Sequence, residues 1–456
     1  MSVTPESAPY RPAYARDAMT GLYYRIGGGG SPGASGGVYV GTLASAPAAA
    51  DYSQWVVTDD PEAYALQVSD GSQWYPIAGG VGEGGGGEPE RVGPITFTTK
   101  GSTFAPKLWQ MADSPNEIEW INSITSTTVG TGPTPTINFG STGTRNIEMW
   151  CNRPQDVLTV NVGYNTGHDT GNYLPGASGG STSGAGEYNH SPQRVTAVTG
   201  LQLLPNLVNF MAAGNPEDPT LGTDRLSGFV NFSGLSKLEF IECAYARISS
   251  TDLTGCTSLI RLCFEENQFQ GNTLDLNPVR TNLRDIRMAF QGGVVFTPLS
   301  GPLTQLYHLC VRAQPITNMP VHPNIPVVSE HWTWDNGQSG TFVVPPQIYD
   351  ARVDDNSYTS IDLTLTPGVP SLGRLAASRN PLTSITGLAT GRRFSLLELV
   401  GCGMTQTLVN QILANVNSWG TSNGGLHLTG SASPTGGQNN TDRLALVSRG
   451  WTVVVA

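Results

Sequence analysis

From Leu207 onward the apolar positions recur in one phrase, apolar-x-x-apolar-x-apolar-x-x-Asn. Five copies carry Asn eight positions after the first apolar residue: Leu207 to Asn215, Leu259 to Asn267, Val328 to Asn336, Ile348 to Asn356 and Leu372 to Asn380. Copies without the Asn start at Leu238, Leu283, Leu306 and Leu396. The period is roughly 20–24 residues, in the range of solenoid repeats. Each phrase predicts a short strand with its apolar side chains inward, followed by a turn at the Asn. One such unit cannot bury its apolar edge alone. Stacked units bury a continuous core and display one curved, concave face of parallel strands.

The predicted solenoid runs over 193–404, and a different pattern follows over 405–456. Leu408, Ile412, Leu413 and Val416 have helical spacing, with Thr405 as N-cap. Residues 426–429 read as a strand, Thr441 or Asp442 caps a short helix, and Trp451-Thr-Val-Val-Val closes as a strand. This short α/β cap seals the apolar end of the stack.

Upstream, the alternation changes period. Residues 1–37 are a polar lead and a Gly-rich hinge. Residues 38–78 read as a small antiparallel β module, from the alternation around Trp55 and Leu66 and the turn Ser69-Asp-Gly-Ser72. Residues 79–92 are a second Gly-rich linker. Over 93–165, five apolar-alternating runs separated by turn residues predict a β-sandwich, with Trp120 and Trp150 as core plugs. Residues 166–192 form a Gly/Ser loop. The fold class is mostly β and multidomain: a small N-terminal β module, a sandwich, and a solenoid with an α/β cap.

Composition narrows the functions. Of 456 residues only 13% are charged, while Gly numbers 56 and Pro 32, as in turn-rich β structure. A net charge of −11 with three Lys and scattered Arg excludes a basic surface for nucleic acid or anionic membrane. The six Cys include no C-x-x-C pair and no zinc spacing, and read as buried thiols of a chain made in a reducing cytoplasm. The N-terminus lacks the basic-then-apolar pattern of a secretory signal, and no apolar run reaches the ~18 residues of a membrane span.

Within the phrase, Asn215, Asn267, Asn336, Asn356 and Asn380 are expected to turn the chain and satisfy backbone groups as a ladder. The variable positions face outward. Over three consecutive repeats they include Tyr307, His308 and Cys310, then Glu330, Trp332 and Trp334, then Tyr349, Asp350 and Arg352. Strands ~4.8 Å apart bring such side chains into one patch. Aromatic faces beside carboxylate, guanidinium and imidazole suit a sugar or a polar protein surface. His331 falls at an inward position, an anomaly that a one-residue slip of that repeat would remove. Acidic residues precede several of the Asn: Glu265 and Glu266, Asp335, Asp354 and Asp355. They read as solvated turn charges, with calcium ligation as the weaker alternative. No nucleophile elbow, HExxH, Walker loop or dinucleotide fingerprint is present. No catalysis, cofactor or metal is expected. A carboxylate pair such as Glu265 with Asp354, or Asp285 with Glu330, is arbitrary from sequence alone.

Three stretches carry a resemblance. PTPTINFGSTGTRNIEMWC at 133–151 resembles the closing strands of PKD-type immunoglobulin-like domains, although that family's central Asp-Phe-Gly-Asp-Gly is missing. TSNGGLHLTGSASPTGGQNNTDRLALVSRGWTVVV at 421–455 resembles the terminal block of phage and bacterial leucine-rich repeat proteins. ALQVSDGSQWYPIAG at 65–79 resembles short modules near the virion-anchored end of phage fibre proteins. Together they resemble minor tail or fibre-like structural proteins of tailed bacteriophages. The resemblance implies a virion location, other virion proteins as partners of the N-terminal region, a homo-oligomer such as a trimer, and adhesion to a host-envelope glycan or protein. The alternatives are a head decoration or purely architectural tail protein, a glycan depolymerase, and a cellular surface adhesin.

Overall fold

The computed structural model describes residues 91–111, 114–163, 194–214, 224–289, 292–312, 315–366, 373–390 and 393–456, together with the backbone of six short strands before residue 78. The expected glycine hinges, the 166–192 loop, Asn215 and Leu372 lie outside the described residues. The chain divides into two compact units, Met1–Val92 and Gly93–Ala456.

In the first unit, strands Ala13–Arg16 and Tyr23–Ile26 pair antiparallel within the segment read as a polar lead. A four-stranded sheet follows. Its strands Gln54–Val57, Leu66–Ser69 and Trp74–Ile77 pair antiparallel, but Val38–Gly41 joins Gln54–Val57 in parallel. The module is therefore mixed rather than antiparallel.

The protein is mostly β, 36% strand and 11% helix, with a β-solenoid of about 7 turns. Its spine is a 13-stranded sheet. Nine strands at the positions of the phrase contribute to it, from Asn209–Met211 to Leu396–Glu398. The last copy starts at buried Phe394, two residues before the expected Leu396, which pairs with Arg374. The strands are parallel and in register residue for residue. Their central residues form one inward row: Phe210, Ile241, Leu262, Ile286, Leu309, His331, Ala351, Leu375 and Leu397, all fully buried. Each Leu or Ile of the row contributes about 1.5–3 kcal/mol by leaving water. His331 is genuinely inward, so the anomaly is not a slipped register. Ala351, the smallest residue of the row, lies directly beside it.

Strand pairing crosses the boundaries expected at 165 and 193. Strand Val157–Asn161 pairs in parallel with Asn209–Met211 and opens the solenoid sheet. Strand Lys107–Gln110 then closes that sheet edge antiparallel. Conversely, Val195–Thr199 pairs with Val92–Thr99 in the five-stranded sheet of the preceding region. The two regions exchange strands within one unit. In that region Phe97, Phe104 and Trp120 pack with ring centroids 5.8 Å apart. Trp150 is not a core plug. It lies on the other face of strand Arg145–Cys151, half-buried, and its indole N–H donates to Glu148.

At the far end, helix Gln406–Ser418 is capped by Thr405, whose hydroxyl accepts from the Leu408 N–H. Helix Thr441–Ser448 is capped by Asn440, one residue before the expected position. Strands Gly425–His427 and Thr452–Val454 extend the sheet.

Candidate functional site

The alternation that sends His331 inward sends its neighbours outward. Along the outer face of the sheet, register aligns Arg261, Asp285, His308, Glu330, Asp350 and Arg374 in one row. It aligns Cys263, Arg287, Cys310, Trp332, Arg352 and Ala376 in the next. His308, Glu330, Trp332, Asp350 and Arg352 therefore share one face.

Asp285 is the hub of this face. It accepts from Arg261 Nε at 2.8 Å and Arg287 Nε at 3.2 Å, and lies 2.7 Å from His308 Nδ1. Burial alone would raise its carboxyl. The His308 hydrogen bond and the charges of His308, Arg287 and Arg261 outweigh burial and hold it well below the usual carboxylate range. A buried ion cluster adds little net stability, because desolvation offsets the attraction, but it fixes side-chain positions. His308 in turn meets Trp332 edge-on, with ring centroids 5.0 Å apart, and its Nε2 lies 3.9 Å from Glu330.

Both tryptophans carry a guanidinium on a ring face. Arg352 stacks 4.4 Å from the Trp332 centroid while pairing with Asp350 at 2.8 Å. Arg312 sits 5.0 Å from the Trp334 centroid. These cation–π stacks occupy surface that a sugar would otherwise cover.

Tyr307 and Tyr349 differ. They are 53% and 50% exposed, against the half-buried tryptophans. Each precedes its strand, yet the ladder extends to them. The Ser329 N–H donates to the Tyr307 carbonyl at 2.9 Å, and the Tyr349 N–H to the Ser329 carbonyl at 2.7 Å. Tyr307, Ser329 and Tyr349 thus form a third row, and the strand register places Arg284 before it and Gly373 after it. The Tyr307 hydroxyl reaches Glu330 at 3.4 Å.

Sequence reading missed the roles of Arg261, Arg287 and Arg312, since scattered Arg give no signal until register aligns them. It also missed Glu242. Burial pushes this carboxyl up to about 7, with repulsion from Glu265 adding to burial, while the Cys263 hydrogen bond and Arg261 oppose it. One oxygen of Glu242 is buried without a hydrogen-bond partner.

Four of the repeat asparagines are buried and bridge successive coils. Asn267, Asn336, Asn356 and Asn380 each donate to a carbonyl of the preceding coil. The residue before each Asn adopts positive φ: Glu266, Asp335, Asp355 and Arg379 lie between 55° and 57°. Asp tolerates this region better than most residues, which accounts for Asp335 and Asp355. Asp355 also pairs with Arg379. Among the described residues no cluster of three or more metal-ligating groups occurs. Cys151, Cys256 and Cys310 are buried thiols pushed up to about 12, so none offers a thiolate nucleophile. Asp285 and Glu330 flank His308, but Asp285, held ionised by its partners, has no proton to donate as a glycosidic general acid.

Compared with known proteins, the chain matches no family model, and no curated protein matches it.

Proposed function

We propose that this chain is a non-catalytic virion structural protein, of the minor tail or fibre-like kind, whose solenoid adheres to the host surface. The observation that carries the reading is the outer face between Asp285 and Arg352. There ionic and aromatic groups are fixed by one another and bordered by half-exposed tyrosines. A rigid, polar-aromatic surface on a regular scaffold suits recognition, because little ordering entropy is lost on contact. In finer detail, we read the solenoid as the leucine-rich repeat type and the 93–165 region, with its partner strand 195–199, as immunoglobulin/PKD-like. Residues 1–92 would attach to other virion proteins, and a homo-oligomer would add avidity.

The competing reading is a head decoration or architectural tail protein whose outer face packs on virion neighbours. Both are tested with the full chain carrying Trp332→Ala or Tyr349→Ala. Adhesion predicts intact particles that adsorb poorly to host cells. Particles that fail to assemble, or that adsorb normally, would overturn it in favour of the architectural reading.

A further inference from the structure

We infer that the ligand is an extended neutral glycan, seated on the Tyr307–Ser329–Tyr349 row with its chain axis running across the strands. This rests on the adhesion reading and names the ligand class for the same face. The two tyrosines are one coil apart on either side of Ser329, about two strand spacings or roughly 9.6 Å. The first and third sugar rings of an extended chain are separated by about this distance, with the intervening ring over Ser329. Each half-exposed phenol can take the C–H face of one ring, which Trp332 and Trp334, stacked under Arg352 and Arg312, are less able to do.

The polar groups beside the row match hydroxyls. Glu330 and Asp350 stand one position further along the same strands and can only accept hydrogen bonds when ionised. A sugar hydroxyl supplies the donor. Asp350 has its charge balanced by Arg352, whereas the cationic candidate nearest Glu330 is His308 at 3.9 Å. An acidic sugar on the row would bring its carboxylate against Glu330, so the site favours a neutral one. A polyproline segment, with a repeat of ~9.3 Å, matches the same spacing. Proline lacks an N–H, however, and adds no donor to the acceptor sites that Glu330 and Asp350 keep beyond Tyr307 and Arg352, whereas a sugar hydroxyl does. Past Tyr349 the row continues with Gly373, which has no side chain to stop a longer chain.

The full chain is tested against immobilised neutral oligosaccharides, including chitohexaose and cellohexaose, beside hexagalacturonate and decaproline. Adhesion of the same preparations to host cells is measured in parallel. The expected result is binding of at least one neutral glycan. Tyr307→Ala and Tyr349→Ala should each weaken it about tenfold, the upper end for loss of one stacked ring. Tyr349→Phe should retain it, and circular dichroism should be unchanged in all variants. Preference for hexagalacturonate or decaproline would overturn the proposal, as would neutral-glycan binding indifferent to both tyrosines. Cell adhesion without any neutral-glycan binding would remove this inference and leave adhesion standing. Loss of both would remove the adhesion reading itself.

Discussion

Acidification should loosen the solenoid at one identifiable coil. His331 occupies the inward row between Leu309 and Ala351, fully buried, with its ring 5.1 Å from that of Phe342. Neither ring nitrogen has a hydrogen-bond partner. Phe342 packs on Tyr358, whose phenol burial pushes well up and keeps neutral, so no charge reaches the imidazole from that side. Burial alone pushes His331 down to about 3. A base whose folded value is depressed contributes no penalty above its unfolded value near 6.5. Stability is then lost as pH falls below 6.5, until the folded value is reached. With 1.36 kcal/mol per unit, the loss between pH 7 and pH 5 is about 2 kcal/mol, rising to about 3 kcal/mol by pH 4. His331→Leu supplies the side chain that Leu309, Leu375 and Leu397 already place in this row. Urea unfolding of both proteins across pH 4–7 measures the difference. The gap between variant and wild type should widen by about 2 kcal/mol from pH 7 to pH 5, whatever its size at neutrality. A gap that stays constant with pH would refute the buried neutral imidazole.

Two further substitutions probe the same scaffold. Glu242 titrates in the opposite sense, since its folded value is raised to about 7. Its contribution is complete below about 4.5 and is lost as pH rises through 7, by about 3 kcal/mol at pH 8. Glu242→Gln should therefore gain on wild type between pH 5 and pH 8, and parallel urea midpoints at the two pH values would contradict this. Asn356 donates to Thr333 and Val353 carbonyls and accepts from the Asn336 and Gln338 N–H groups. Asn356→Ala should cost about 3 kcal/mol by orphaning these buried groups, with amide exchange accelerating first at Asn336 and Gln338. Exchange unchanged there would mean that water replaces the amide at no cost.

The repeat was legible because one rule governs it locally. Inward residues every second position within a strand, and every coil along the chain, leave a period that needs no knowledge of partners. Even phrases lacking the Asn, such as Leu238 and Leu283, formed strands, since the stacked aliphatic row fixes register without the turn amide. Strand exchange near residue 160 was not legible. Val157–Asn161 alternates equally well for a sandwich or for the first coil, and only its parallel pairing with Asn209–Met211 decides. Periodicity specifies a strand's faces, while its neighbours depend on contacts distant in sequence.

The site follows the same division. That Trp332 and Arg352 face outward was readable from alternation, but that Arg352 lies on Trp332 required register between coils of unequal length. Register changes what these residues mean. Read along the chain, the tryptophans are the obvious stacking surfaces. Read across the strands, their faces meet guanidinium groups, Asp285 gathers three cationic or imidazole partners, and the half-exposed rings are Tyr307 and Tyr349. The groups most conspicuous in the sequence thus act as the rigid backing of the face. Those one position earlier, where the ladder begins, have the exposure that contact with a ligand requires.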